Sequence, residues 1–496
     1  MKNSKLRVLL SLIYFASILF FAATTEAQEK NAKKMNVIYI LSDDHRYDAM
    51  SFMHFNGWLK TPNLDKMAKG GVHFKNAFVS TSLCSPSRAS ILTGMYAHQH
   101  GVVDNMTPPL DSLIYFPQYL QKEGYVTAFM GKWHMGEMKG DGGPRKGFDK
   151  WISFKGQGQY YNQTFNIDGE MVPTKGYITD VLTNFAIDWI KDVENEPFFL
   201  YLSHKAVHAL FKPSPEDKNI YENEKVPHPA SMADTPENYK GKPRWVKEQR
   251  NSWHGVDYMY YGEYDFDSFY KRYCETLVGL DRSIGRLLDF LDKEGLMKNT
   301  IVIYMGDNGF MFGEHGLIDK RQMYEESIRV PLLAYSPGNI GEGITVDEMV
   351  QNIDIAPTVL EICGVKEKPK QMEGLSFYPL MKGEHPPWRH KIYYEYYWER
   401  AFPQTPSTFG VRTDRYKYIF YHGIWDTNEL YDIKNDPKEM HNLIDDPKYK
   451  DMVEQFDKDL FDWLEKTDGM EIPLRRGPDY IKNKRGPKKQ SKFLYP

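Results

Sequence analysis

Apolar runs recur along the chain, and most of them stop at polar residues. MNVIYILSDD (35–44) is the first; YVTAFMGKWH (125–134), PFFLYLSH (197–204), TIVIYMGDNG (300–309) and VPLLAYSPG (330–338) repeat the pattern. A strand with apolar side chains on both faces has no solvent side, so these runs predict a mostly parallel sheet covered by helices. The intervening segments FYKRYCETLVGLDRSIGRLLDFLDKEG (269–295) and APTVLEICG (356–364) are amphipathic and predict helices. TPNLDKMAKGG (61–71) predicts a shorter helix, with Thr61 as N-cap and Pro62 at its first position. The alternation predicts an α/β fold with ligands bound at the carboxyl ends of the strands.

The rhythm breaks twice. Residues 215–265, rich in Pro, Tyr, Trp and charge, read as an insertion over the sheet. From about residue 385, KIYYEYYWER and VRTDRYKYIFY read as shorter antiparallel strands, followed by an amphipathic helix in DPKYKDMVEQFDKDLFDWLEKT. The expected organisation is a main domain over residues 28–384 and a smaller C-terminal subdomain with a basic tail over 385–496. At the other end, Lys2, Lys5 and Arg7 precede LLSLIYFASILFFAA and TTEAQ, which reads as an export signal cut after Ala27. Its apolar run of about 15 residues falls short of the roughly 20 that span a bilayer. The expectation is a periplasmic or secreted protein with no stable membrane insertion.

Composition narrows the partners. Lysine and arginine total 63 against 67 acids, for a net charge of −4, so no global field recruits nucleic acid. Aromatics make up 15% of the chain, which leans toward carbohydrate, since rings stack on the apolar faces of sugars. With only Cys84, Cys274 and Cys363, there is no disulfide framework to account for a cysteine in TSLCSPSRAS (81–90).

Asp43 and Asp44 end the first strand, and Asp307 and Asn308 end the one at 300–309. These are hard oxygen ligands, suited to Ca²⁺ or Mg²⁺. Either pair alone also reads as a cap or a turn; at the ends of two strands of one sheet they converge. Cys84 admits a buried structural role or a place in a polar loop leading into a helix whose first turns are ASILTG. A thiolate phosphatase loop fits poorly, because Arg88 stands only four residues on.

CSPSRASILTG resembles the C-x-P-S-R signature of type I sulfatases with the L-T-G that follows it. In chain order, SDDHR is similar to the family's aspartate pair, GKWHMG to its G-K-W-H, and HKAVHALFKP to its histidine before a proline-containing loop. GDNGFMFGEHG is similar to its metal-binding D-N-G, and DKRQMYEESIRVP to its lysine followed by E-E-S-x-R-V-P. The likeness runs from about residue 35 to 445. It implies an alkaline-phosphatase-like fold and a sulfuric ester hydrolase in which a separate maturation enzyme converts Cys84 to formylglycine. Asp43, Asp44, Asp307 and Asn308 would hold the cation together with residue 84. Arg88 and Lys132 would neutralise the anion, His208 with Lys320 would serve the leaving oxygen, and His134 would act as base; His204 reads as structural. HQHGVVDN resembles the glucosamine 6-sulfatase branch, which implies a sulfated oligo- or polysaccharide, of algal or glycosaminoglycan type. His98, His100, Asp104, Asn105 and Arg321 are the candidate sugar contacts. The alternatives are a phosphoester or phosphonate hydrolase of the same superfamily and, if Cys84 stays a thiol, a non-catalytic glycan-binding protein.

Overall fold

The computed structural model describes residues 34–136, 142–367 and 369–471; the expected export signal and the basic tail lie outside them. Ten strands form the large sheet: β1 (Asn36–Ser42), β2 (Val72–Phe74), β3 (Val126–Lys132), β4 (Lys150–Phe154), β5 (Thr164–Ile167), β6 (Glu170–Pro173), β7 (Phe198–Ser203), β8 (Thr300–Gly306), β9 (Leu332–Tyr335) and β10 (Ile344–Val346). Their order is β10-β2-β9-β8-β1-β7-β3-β4-β5-β6. The central run β8-β1-β7-β3-β4 is parallel throughout, whereas β9 pairs antiparallel with β8 and β5 antiparallel with β4. Every residue of β1, β7 and β8 is buried, as their unbroken apolar character predicts. Alternate residues of β1 divide between two cores: Val37, Tyr39 and Leu41 face one, Ile38 and Ile40 the other.

Helix α1 (Pro62–Gly70) begins at the expected proline, but Thr61 makes no side-chain cap. The Thr61 hydroxyl accepts instead from the Ser51 N–H at 2.8 Å. The helix start is satisfied from a distance, by Asp281, which accepts from the N–H groups of Asn63 and Leu64 at 3.1 and 2.8 Å. The remaining principal helices are α2 (Cys84–Thr93), α3 (Ile178–Val193), α4 (Phe266–Lys293), α5 (Ile355–Ile362) and α6 (Lys450–Lys466). Residues 215–265 form short helical turns, the longest being Arg244–Gln249. Strands β4 to β6 were not marked by the apolar runs, being short and partly polar. Their turn residues Asp168 and Gly169 both have positive φ, 51° and 105°, so the D-G pair was the available hairpin signal.

A second, four-stranded antiparallel sheet follows: β11 (Lys391–Tyr396), β12 (Ser407–Thr413), β13 (Tyr416–His422) and β14 (Glu429–Asp432). Helix α6 packs on it through Trp463, which stacks on Tyr393 at 4.7 Å and meets Tyr96 edge-on at 4.9 Å. His98, expected to touch sugar, lies in this seam. Its Nδ1 is 2.8 Å from Glu395 Oε2, and its Nε2 is 3.0 Å from the Thr467 carbonyl. His100 is fully buried, with Nδ1 accepting from the Val102 N–H and Nε2 3.1 Å from Ser90 Oγ. Protein partners occupy both nitrogens of each ring, so these two histidines are corrected to structural roles.

Burial acts against the charge on His98, but the Glu395 carboxylate beside it outweighs that and raises its pKa. A raised pKa stabilises the fold below the unfolded value of about 6.5 and is lost as pH rises through the folded value. His98→Ala is therefore expected to cost about 1–3 kcal/mol, with the deficit in denaturant unfolding larger at pH 5.5 than at pH 9.

Candidate active site

The register of the sheet brings the polar strand ends together. Ser42 pairs with Gly306, so Asp43–Asp44 and Asp307–Asn308 leave β1 and β8 at one level. Leu41 pairs with Ser203, and Ser203 with Gly131, which sets Lys132 at the same edge. Gly131 is required there: at φ 116°, a Cβ would lie 1.8 Å from the Ser203 carbonyl oxygen. The helix after Leu83 starts earlier than the sequence indicated. Cys84 is itself the first residue of α2 and is fully buried, so the expected polar loop is absent at this position. Its Sγ lies 3.5 Å from Asp43 Oδ1.

Arg88, one turn along α2, reaches back across the strand ends. Its Nε and Nη2 bond Asp307 Oδ2 at 2.9 and 2.8 Å, and Nη2 also reaches Asp43 Oδ2 at 3.1 Å. Its Nη1 donates to the Lys132 carbonyl and to Ser203 Oγ, both at 2.6 Å. Lys132 bonds Asp43, and Lys320 bonds Asp44. Although burial pushes it up, Asp43 is held well below the usual carboxylate range by the charges of Lys132 and Arg88. Burial raises Asp44 to about 7 against the pull of Lys320, with Asp43 and Asp307 adding to the rise.

Two oxygens in this cluster are left over. Asp44 Oδ2 and Asn308 Oδ1 are buried without a hydrogen-bond partner, while Asn308 Nδ2 donates to Asp44 Oδ1 at 2.7 Å. Unsatisfied buried acceptors are costly unless a cation meets them. Asp43, Asp44, Cys84 and Asp307 each offer a ligand atom within 4.8 Å of one another. The donor set fits a hard divalent cation.

His134 and His208 both line a cavity beside this cluster. The Gln157 amide donates to His134 Nε2 at 3.0 Å, and Ser85 Oγ donates to the His134 carbonyl. His208 Nε2 is 3.9 Å from Asp44 Oδ2, and the Tyr160 hydroxyl donates to the His208 carbonyl at 2.7 Å. Burial, then Lys132, depress both pKa values well below the ordinary imidazole value, so both rings are neutral. Burial alone lowers His204 to about 3, in keeping with a structural role. Lys205, which the sequence reading passed over, is also buried here; its Nζ lies 4.9 Å from the Tyr160 ring centre, and burial with Lys132 lowers it to about 7.

His134, His208 and Lys320 line a cavity of about 600 Å³ together with Asn105, Gln157 and Arg321. Trp253, Tyr260, Tyr261 and Glu263 enter from the 215–265 segment, and Glu399 and Phe402 from the segment between β11 and β12. Of the candidate sugar contacts, Asn105 and Arg321 reach the cavity. Asp104 does not line it: its Oδ1 accepts from the N–H groups of Met106 and Thr107 at 2.8 and 2.6 Å and so shapes the loop. Arg321 Nε bonds Glu399 Oε2 at 2.7 Å, its guanidinium carbon lies 3.8 Å from the Phe402 ring centre, and Nη1 bonds Asp319.

A family model described as sulfatase matches residues 35–365. The chain belongs to the sulfatase family. A second model, of the N-sulphoglucosamine sulphohydrolase C-terminal region, matches residues 313–466 of this sulfatase. It is 32% identical to an N-acetylglucosamine-6-O-sulfatase of Bacteroides thetaiotaomicron over 94% of this chain and 91% of that protein. It is 32% identical to the human N-acetylglucosamine-6-sulfatase over 73% of this chain and 67% of that one. Among solved structures, a protein in complex with its substrate D-glucosamine-2-N,6-O-disulfate superposes with a TM-score of 0.82. That match has 31% identity over 90% of this chain and 100% of the other. The alkaline-phosphatase-like fold and the sulfuric ester hydrolase class expected of the sequence are both borne out. Among the described residues, no helix is long and apolar enough to cross a membrane.

All three cysteines of the sulfatase are buried; burial raises the thiol pKa at each, to about 12 at Cys363. Protein made without a maturation enzyme is expected to resist iodoacetamide at pH 8 while folded and to take up three labels in denaturant, as read by intact mass.

Proposed function

We propose that this sulfatase hydrolyses the 6-O-sulfate ester of a glucosamine-type residue in a sulfated glycan, using formylglycine derived from Cys84 and a divalent cation, Ca²⁺ before Mg²⁺. The observation that carries the reading is the likeness, across nine-tenths of the chain, to a protein solved with D-glucosamine-2-N,6-O-disulfate. The polar floor and aromatic wall of the cavity suit a sulfated sugar. Export through residues 1–27 would place the enzyme in the periplasm or outside the cell, where polymeric glycans are met.

Asp43, Asp44, Asp307, Asn308 and residue 84 would hold the cation, which supplies charge neutralisation for sulfate oxygens. Formylglycine supplies, as its hydrate, one hydroxyl that attacks sulfur and a second whose deprotonation releases sulfate and restores the aldehyde. Arg88 and Lys132 are preorganised: carboxylates and backbone already fix both, so they meet the ester's negative charge with little reorganisation. His208 and Lys320 stand at the cavity floor, where the leaving oxygen collects a proton. Burial first, and then the Lys132 and Lys320 charges, keep His208 neutral, and an arriving anion would offset those charges. His134 is neutral and would accept the proton from the second hydroxyl once Nε2 exchanges the Gln157 amide for it.

Matured protein is expected to release sulfate from N-acetylglucosamine 6-sulfate and to weigh about 18 Da less than the same chain with Cys84 left as a thiol. Cys84→Ser is expected to lower kcat at least ~10³-fold. Phosphate-ester turnover exceeding sulfate turnover, or an intact thiol at Cys84 in protein from the native host, would sink the reading.

Metal dependence gives a separate check. Ca²⁺ at a hundredfold excess over its Kd is expected to add about 2.7 kcal/mol of stability to the unvaried protein, seen as a rise in Tm. Asn308→Ala and Asp44→Asn should abolish most of that rise while leaving a cooperative unfolding transition.

A further inference from the structure

Part of the cavity wall is aromatic, formed by Trp253, Tyr260, Tyr261 and Phe402. Tyr260 and Tyr261 both adopt left-handed backbone, with φ/ψ of 45°/48° and 66°/23°. Such conformations are costly for bulky side chains and persist where the surroundings hold them for a purpose. The two rings part company. Tyr260 is buried, its hydroxyl 3.4 Å from Asp319 Oδ1 and its ring 4.7 Å from Trp253. Tyr261 also lines the cavity yet is 66% exposed, with its ring 5.9 Å from Trp253. Trp253 in turn stacks on Phe402 at 5.4 Å, with the ring planes 22° apart. The strip Phe402–Trp253–Tyr261 runs from half-buried to open, toward the mouth of the cavity.

Glycine or asparagine would take the Tyr261 backbone conformation at little cost. A tyrosine there keeps the strain and presents an aromatic face to the outside. Beside it, Glu263 is exposed in the cavity lining and forms no ion pair within 4 Å among the described residues, unlike Glu399 and Asp319, which Arg321 neutralises. The mouth therefore combines an apolar stacking surface with an uncompensated negative charge. That surface suits the apolar face of a pyranose and disfavours a second anionic group.

We infer that Tyr261 and Trp253 form a second sugar subsite, which takes the residue glycosidically joined to the sulfated one, and that Glu263 selects a neutral hexose or hexosamine there over a uronic acid. This rests on the glycan-sulfatase reading and extends it from one sugar to two.

The test compares kcat/KM of the matured full-length protein on three substrates. They are N-acetylglucosamine 6-sulfate, its disaccharide with a neutral hexose and its disaccharide with a hexuronic acid. The neutral disaccharide is expected to exceed the monosaccharide roughly fivefold, chiefly through KM. Tyr261→Ala should bring that ratio to about one, and Tyr261→Phe should keep it. Tyr261→Gly should also lose the ratio, with a Tm equal to or above that of the unvaried protein because glycine relieves the left-handed backbone. Glu263→Gln should raise the uronate disaccharide roughly threefold relative to the neutral one. A disaccharide ratio near one in the unvaried protein, or one that Tyr261→Ala leaves intact, overturns the subsite alone. Release of sulfate from none of the three substrates overturns the glycan reading with it.

Discussion

A single guanidinium ties together the edge of the sheet that carries the candidate active site. Arg88 bonds two carboxylates, from the ends of β1 and β8, and the Lys132 carbonyl and Ser203 hydroxyl, from the ends of β3 and β7. Four neighbouring strands thus converge on one planar, permanently charged group that cannot release its proton. Three buried carboxylates could not otherwise share this volume, since burial drives each toward its neutral form, Asp43 and Asp307 add to the rise at Asp44, and Asp43 adds to that at Asp307. Arg88, Lys132 and Lys320 supply balancing charges, and the two oxygens that they leave unsatisfied mark where the proposed cation would sit.

The sheet provides the floor of the site, and other segments build its walls. Arg321 follows directly on Lys320, yet its partner Glu399 comes from the segment between β11 and β12, where the Tyr396 hydroxyl also donates to it at 2.9 Å. The 215–265 segment is bound into the same frame. Lys242 donates to the Tyr431 hydroxyl and to the Glu439 carbonyl, both at 2.8 Å, while Glu429 accepts from Tyr324, Tyr421 and Tyr431. Such a network rigidifies a structure only when its members are satisfied together. The segment that joins the first two strands of the small sheet thereby forms part of the cavity wall.

What was legible in the sequence follows how local each signal is. The strands β1, β3, β7, β8 and β9 announced themselves because double-sided burial leaves an unbroken apolar run, and the polar residues that end four of them marked the edge of the candidate site. The start of α2 was misjudged because SPSRAS is polar, whereas in the fold those side chains are buried under a second layer of protein. Thr61 looked like a cap, but the groups that satisfy the α1 N-terminus come from Asp281, more than two hundred residues away. Glu399, Phe402 and Trp253 had no local mark at all, since their meeting with Arg321 exists only once three distant segments have assembled. His98 and His100 misled for the opposite reason: histidines beside a catalytic motif read as ligand contacts until their protein partners are seen.

Cys84 begins α2 with no exposed surface, beneath the Asp43 carboxylate and with its neighbours Ser85, Pro86 and Ser87 equally enclosed. An enzyme that recognises this string cannot grip it in the finished fold. The proposed conversion therefore belongs to the extended chain, in the interval between synthesis and collapse of the sheet. Folding speed then becomes a determinant of yield: a variant that folds faster, or a host whose modifying enzyme works more slowly, would produce a well-folded protein with an inert thiol sealed at its centre.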